Sequence, residues 1–327
     1  MKTGIIHVME NENIDNFRKK FDEIYHNKLL GIIKPYEEKR KKTLLKYIFW
    51  ALLSVIFIIT GFYLHWNLEV FFKGLNEEVA GYIAVLPSII GFFMVSVPSI
   101  IAKEFENDIK KKVMPQLLSS LKTIRWIQEK AITDSFINQS ELFTVYNRRY
   151  DDDHFIGKYK NVAIEICETE LGYYTRCGKN SSYSVRFKGV LVCLKPDRTY
   201  KGTVLIKKQG LLNTKPKGLE QINLEDIEFE KQFNVYSDDQ IEARYVLTTA
   251  FMERFKNLAF AFKANKIEAS IKNQGILIGL TVKHDLFKVA KLYKPICDYA
   301  QFKQMAEEFA SILELIEELK MDQNIGL

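Results

Sequence analysis

A chain of 327 residues has room for one sizeable domain plus membrane helices, or for two small domains. Its net charge of +6 is only mildly basic, and no arginine-rich stripe with interleaved aromatics is present, which argues against a nucleic-acid partner. The four cysteines, Cys167, Cys177, Cys193 and Cys297, form no C-x-x-C pair and stand apart from the five histidines, so neither a zinc site nor a disulfide framework is expected, and no metal or cofactor is assigned.

The first 46 residues are polar and rich in charge, without the early apolar core of a cleavable signal peptide, so the first apolar run reads as a retained anchor. Within them Ile14, Phe17, Phe21, Ile24 and Tyr25 recur at helical spacing and predict an amphipathic helix. Its polar face carries both signs of charge, which favours packing on a domain over lying on a bilayer.

Tyr47 to Trp66 holds no Asp, Glu, Lys or Arg over 20 residues and has aromatics at both ends. At 1.5 Å per residue it spans about 30 Å, the thickness of a bilayer's hydrocarbon core. Val79 to Ala102 is a second uncharged run, of 24 residues. It contains Pro87 and Pro98, each followed by a serine (Ser88, Ser99) placed to satisfy a freed carbonyl. A kinked anchor is the plain reading of the prolines, and a gating hinge the sharper one. A buried helical hairpin of a soluble protein is the alternative for the pair of runs.

The link from Asn67 to Glu78 carries one lysine, whereas the outer flanks carry ten basic residues: Lys34, Lys39, Arg40, Lys41, Lys42, Lys46, Lys103, Lys110, Lys111 and Lys112. Basic flanks stay inside, which predicts a multi-pass membrane protein with both termini cytoplasmic and the short link outside. Lys39, Arg40, Lys41 and Lys42 are expected to rest on anionic lipid heads.

Beyond the second run Ile109, Val113, Leu117, Leu118, Leu121 and Ile124 continue the helical period, predicting a stalk over 103–149 bent near Pro115. From Tyr150 the pattern turns β-like, with strands at Val162–Cys167, Ser184–Leu194 and Thr203–Ile206 and turns at 177–180 and 195–198. Ser237 followed by Gln240 is a capping-box spacing that opens a helix through Tyr245, and Thr248 or Thr249 caps another. A hairpin turning at Asn273-Gln274-Gly275 and a long amphipathic helix over about 295–320 complete the chain.

The predicted fold class is α+β: a two-helix transmembrane hairpin (47–66 and 79–102, external loop 67–78) after a cytoplasmic helix in 1–46. A helical stalk (103–149) and a cytoplasmic α+β domain (150–327), with antiparallel strands and a C-terminal amphipathic helix, follow.

The stretch FNVYSDDQIEARYVLTTAFMERF, Phe233 to Phe255, resembles the signature of a bacterial membrane family of unknown function numbered 3137 (DUF 3137). The signature, close to F-x-V-Y-S-x-D-x-x-E-A-R-Y, falls on Tyr236, Ser237, Asp239, Glu242, Ala243, Arg244 and Tyr245. VRFKGVLVCL and YKGTVLI resemble the family's upstream strands. Thr249 stands where many relatives have proline, which alters only a helix cap. The resemblance covers roughly residues 40 to 290 and implies two membrane helices followed by a domain. It supplies no activity, and implies a LemA-type membrane protein as partner class.

The residues with chemistry to offer are few. Asp239 and Glu242 share a helix face beside Asp238 and Arg244, a pattern able to do acid–base work or hold a divalent ion, and equally one that only favours a helix N-terminus. Asp151-Asp152-Asp153-His154 lacks the spacing of a calcium loop and reads as a solvated turn. No G-x-S-x-G, Walker or H-E-x-x-H motif occurs. The expected function is therefore a non-enzymatic module that binds a protein partner or small ligand at the cytoplasmic membrane face, with Tyr236, Asp239, Glu242, Arg244 and Tyr245 as its candidate motif. The alternative is a membrane-tethered hydrolase or metal-dependent enzyme using Asp239, Glu242 and Arg244. A channel built by homo-oligomerisation is a third reading, disfavoured because His65 is the sole ionisable residue in either apolar run.

Overall fold

The computed structural model describes residues 14–321 except 120–122, 131, 161, 179, 211–214, 274, 285, 297 and 298. Leu121, Lys179, Gln274 and Cys297, each part of an expectation above, lie outside the described residues. Two compact units are present: residues 24–116 with 288–299, and the described parts of 1–23, 117–287 and 300–327.

In the first unit a π-helical turn, Tyr25–Leu29, precedes α2 (Leu30–Trp66); α3 (Leu68–Phe71), α4 (Glu77–Met94) and α5 (Ser96–Leu118) follow. α2 and α4 are antiparallel and meet along small residues, as the Ser88 hydroxyl donates to the Ile58 carbonyl at 3.0 Å. A Cβ on Gly91 would stand 2.7 Å from the Ser54 carbonyl oxygen, and one on Gly61 would strike Ser88. Only glycine allows that approach, which is how membrane helices gain contact when no apolar driving force separates lipid from protein. Ser88 thus binds the partner helix and not the carbonyl freed by Pro87, as the spacing suggested.

The large apolar side chains of this pair point away from the seam, with Phe62 68% and Phe92 73% exposed. A soluble core hairpin would bury them. Helix α4 stops at Met94, whose carbonyl Pro98 cannot serve because proline has no N–H; Pro98 itself falls in the first turn of α5, where that loss is tolerated.

The second unit is a nine-stranded antiparallel sheet with helices. Its elements are α1 (Ile14–Ile24), β1 (Arg125–Ile127), α6 (Asp134–Gln139), β2 (Arg148–Tyr159), β3 (Val162–Cys177), β4 (Asn180–Lys195) and β5 (Tyr200–Lys208). They continue with β6 (Glu220–Ile222), α7 (Ile227–Glu230), β7 (Phe233–Ser237), α8 (Gln240–Val246), α9 (Thr249–Ala261), β8 (Lys266–Asn273), β9 (Gly275–Thr281) and α10 (Tyr299–Met321). The strand order is β1-β2-β3-β4-β9-β8-β5-β7-β6, so the β8–β9 hairpin inserts between β4 and β5. The α+β class with a C-terminal helix is as expected.

The expected stalk is corrected: the helix ends at Leu118, and Arg125–Ile127 instead pairs antiparallel with β2, Trp126 facing Phe155 in register. The pairing available from β2 overrides the helical spacing of Ile124 with the preceding leucines.

One sheet face carries Val192, Ile278, Ala269 and Ile206 in successive register, and the other Cys193, Leu277, Ser270, Leu205 and Tyr236. Helix packing is aromatic: Phe155 stands 4.6 Å from Phe287 and 5.3 Å from Phe309 of α10, and Phe255 of α9 meets Phe229 and Phe233. Burial of each such ring stabilises the unit by about 1.5–3 kcal/mol. The opposite face is closed by Ile132, Ile137, Leu142, Phe136 and Phe143 around Cys167, Leu191 and Leu277. Helix α1 buries Phe17 and Phe21, and Arg18 ties it to α10 through Glu307 and Glu314, both at 3.0 Å.

Candidate functional site

The motif on β7 and α8 was the first candidate. Asp239 is the N-cap of α8: its Oδ1 accepts from the backbone N–H groups of Ile241 and Glu242, each at 3.0 Å. Ser237, expected to cap, instead exchanges hydrogen bonds with the Asp239 backbone. Asp238 Oδ1 accepts from the Thr203 N–H at 2.6 Å, beside a register shift in the β5–β8 pairing. Glu242 pairs with Arg198 at 3.1 Å, and the Arg198 guanidinium lies over the rings of Tyr200 (4.5 Å) and Tyr245 (5.1 Å). Tyr236 is buried among Leu205 and Leu219, while Arg244 is exposed.

Apart from the exposed Arg244, these side chains are engaged in capping, stacking, pairing or core packing, and none of the motif's residues lines any of the three clefts described below. Arg198 belongs to this cluster and was missed in the sequence, where Lys195–Arg198 reads only as a turn. Asp239→Ala is expected to cost about 1–2 kcal/mol of unfolding free energy in urea titrations, the usual loss of a doubly bonded N-cap. Arg244→Ala is expected to stay within about 0.5 kcal/mol of the unsubstituted chain.

The basic run before the first apolar segment divides. Arg40 is buried and donates to Glu37 and, at 2.9 Å, to the Leu292 carbonyl; Glu37 in turn accepts from the Ile296 N–H. Lys39 pairs with Asp108 at 2.5 Å. The Glu37 carboxyl is held below its ordinary value, chiefly by the Arg40 hydrogen bonds. Arg40 therefore fastens residues 288–299 to α2, while Lys39, Lys41 and Lys42 are exposed, Lys39 being held by its pair with Asp108.

The Asp151–His154 segment is corrected more deeply. It is no solvated turn but the middle of β2, with Asp153 and His154 buried and the Asp151 side chain 7% exposed. A bulge there places Asp151 opposite Thr169 and His154 opposite Cys167, three residues on β2 against two on β3. Strand alternation alone would turn residues three apart to opposite faces; the extra residue returns them to the same face.

Asp151 Oδ1 accepts from Arg149 Nε (2.8 Å) and Thr169 Oγ1 (2.6 Å), and Arg149 also reaches Asp134 at 2.9 Å. Burial opposes the Arg149 charge, but its bonds to Asp134 and Asp151 outweigh that and hold it above the ordinary arginine value. Burial lowers the His154 pKa and raises that of the Cys167 thiol.

The clefts in this unit include the following three, among the described residues. One of about 610 Å³ is ringed by Lys208, Lys231, Lys256 and Lys266 over Phe233 and Ile267. Lys231 pairs with Glu228 and Lys266 with Glu268, Lys208 donates to the Asn265 carbonyl, and Lys256 has no ion-pair partner among the described residues. A second, of about 600 Å³, lies by Phe136, Ser270 and Leu277; its rim lysines, Lys195 and Lys272, are neutralised by Glu165 and Glu141. The third, of about 270 Å³, is lined by Asp151, Thr169, Lys188 and His284 among others.

No curated protein matches the chain. Among solved structures, the mycobacterial trehalose monomycolate transport factor A, TtfA, is similar at 10% identity and a TM-score of 0.27, over 54% of this chain and 90% of that one. The family model described as "Protein of unknown function (DUF3137)" matches residues 185–321, which begins later and runs further than the roughly 40–290 over which the sequence resembles the family. Over that part, from β4 through α10 and including the Tyr236–Tyr245 motif, the chain's resemblance to the DUF3137 family is shown.

Proposed function

We propose that this chain is a membrane-anchored binding module whose sheet unit takes up a small anionic ligand on the cytoplasmic side of a bacterial cell membrane. The observation that carries the binding reading is the lysine-ringed cleft. Its four ammonium groups outnumber the two carboxylates paired with them, and Phe233 and Ile267 supply an apolar wall. A concave, partly apolar site of this volume with a few charged groups suits a metabolite.

Anchoring is supported by the hairpin's outward-facing apolar side chains and glycine–serine seam, a pattern that lipid stabilises and water does not. The ten-to-one imbalance of basic residues between flanks and link supports two crossings with both termini inside. Lys41 and Lys42 are then placed to meet anionic lipid heads. The enzymatic alternative has less support, because Asp239 and Glu242 are already occupied in capping and pairing.

The test is a thermal-shift titration of the full chain in detergent micelles with ATP, inorganic pyrophosphate and citrate. At a hundredfold excess over Kd, bound ligand stabilises by about 2.7 kcal/mol. That corresponds to a rise in Tm of roughly 5–10 °C for a unit of this size. Lys231→Glu with Lys256→Glu should abolish the rise. Absence of a shift with all three probes, or one that survives the double substitution, would remove the proposal.

A further inference from the structure

The geometry points to a second site in the same unit: a single borderline divalent transition ion, of which zinc is the type, held by Asp151, His154 and Cys167. Among the described residues these three offer one ligand atom each, all within 4.8 Å of one another. Asp151 Oδ2 lies 3.9 Å from His154 Nε2, and Cys167 Sγ lies 3.6 Å from Asp151 Oδ1. Donors bound to tetrahedral zinc at about 2.0–2.3 Å stand roughly 3.3–3.8 Å apart, so the trio needs to close by no more than about 1.5 Å.

A second observation singles out the position. Asp151 is more than nine-tenths buried, its Oδ1 is taken up by Arg149 and Thr169, and its Oδ2 is buried with no hydrogen-bond partner. A buried carboxylate oxygen without a partner costs on the order of 1–3 kcal/mol, and a cation on the side facing His154 removes that cost.

The charges balance as well. Arg149 is matched by Asp134, and a divalent ion is matched by the Asp151 carboxylate and a Cys167 thiolate, whose proton leaves to solvent as the sulfur binds. One sulfur, one imidazole nitrogen and one oxygen form a donor set for zinc or cobalt and a poor one for magnesium or calcium. Three protein ligands leave the fourth tetrahedral position for water.

No C-x-x-C or H-x-x-x-H spacing announces this site, because the β2 bulge and the β2–β3 register assemble it. The neighbouring group of Asp152, Asp153 and Glu168 is oxygen-only, with Asp153 Oδ1 already accepting from Trp126 Nε1 at 2.9 Å, and it carries no proposal.

The experiment titrates cobalt(II) into chelator-stripped full-length protein in detergent micelles. One equivalent per chain should produce visible bands of tetrahedral intensity and a near-ultraviolet sulfur-to-cobalt charge-transfer band, both discharged by zinc. Asp151→Asn, which keeps the shape and the Arg149 and Thr169 contacts, and His154→Ala should each weaken binding by at least about tenfold, the loss that even an outer-shell change brings. Cys167→Ser should remove the charge-transfer band, and Cys193→Ser, at another buried free cysteine, should leave it unchanged. X-ray absorption of the zinc-loaded unsubstituted chain needs no variant and should show one sulfur among light-atom ligands. A sulfur-free shell, or cobalt affinity indifferent to Asp151→Asn, would overturn the site.

Discussion

Glu308→Gln is expected to flatten the pH dependence of stability between about pH 5 and pH 8, where the unsubstituted chain loses on the order of 3–5 kcal/mol. Glu308 lies on α10 at 2% exposure. Its Oε1 accepts from Gln304 Nε2 at 3.2 Å, and its Oε2 is buried without a partner. Burial pushes its pKa up to about 8, against smaller opposing effects of the Gln304 hydrogen bond and the Lys263 charge.

The folded chain therefore keeps a proton that the unfolded chain releases near the ordinary glutamate value of 4.5. Wherever the folded state binds more protons, stability falls as pH rises. The loss begins above the unfolded value and is complete above the folded one. Glutamine mimics the neutral acid and carries no such penalty, so the two chains should agree near pH 5 and diverge in the variant's favour toward pH 9. Urea midpoints of the full chain at pH 5, 7 and 9 measure the divergence, and curves that stay parallel would show the carboxylate to be solvated.

The apolar helical hairpin was legible in sequence because its signal is local: two runs without a charge, each long enough for a helix that could cross a bilayer, with lysines gathered on the outer flanks. The β8–β9 hairpin and the Thr248 cap were legible for the same reason, since alternation and capping act within a few residues. β3 and β4 were legible only over Val162–Cys167 and Ser184–Leu194, although each runs 16 residues. Their outer halves, with Arg176, Ser181, Ser182 and Arg186, lack a buried face and give no alternating pattern. The insertion of β8–β9 between β4 and β5 is a choice among distant partners, and nothing in the spacing of Val190, Leu205 or Ile278 announces it.

The motif shows the same division. Asp239 and Glu242 could be placed on one helix face from their spacing, yet what Glu242 does depends on Arg198, 44 residues earlier. Asp151 to His154 failed as a sequence reading for a stricter reason. Period-two alternation is a rule for regular strands, and a bulge breaks it at the position where the chemistry lies. Consecutive aspartates suggest solvent until β3 supplies Thr169 and Cys167 opposite them.

Removal of the Arg149 guanidinium is therefore expected to be among the most damaging changes in the sheet unit. Arg149→Ala should cost about 3–5 kcal/mol, the loss that follows when one member of a buried pair is deleted and the other stays charged. The Arg149 side chain is 4% exposed and joins three segments at once: β2 itself, α6 through Asp134, and β3 through the Asp151–Thr169 contact. Asp134 is half exposed and water can replace its partner, whereas Asp151 cannot be rehydrated without opening the bulge. Most of the cost should accordingly disappear in Arg149→Met combined with Asp151→Leu, in which neither charge remains to be desolvated. Trp126 reports the transition, since its indole N–H is bonded to Asp153 inside the same bulge, once Trp50 and Trp66 of the hairpin are changed to phenylalanine. A loss below about 1 kcal/mol for Arg149→Ala, the range of exposed ion pairs, would mean that water reaches Asp151 and that β2 is held by its backbone ladder alone.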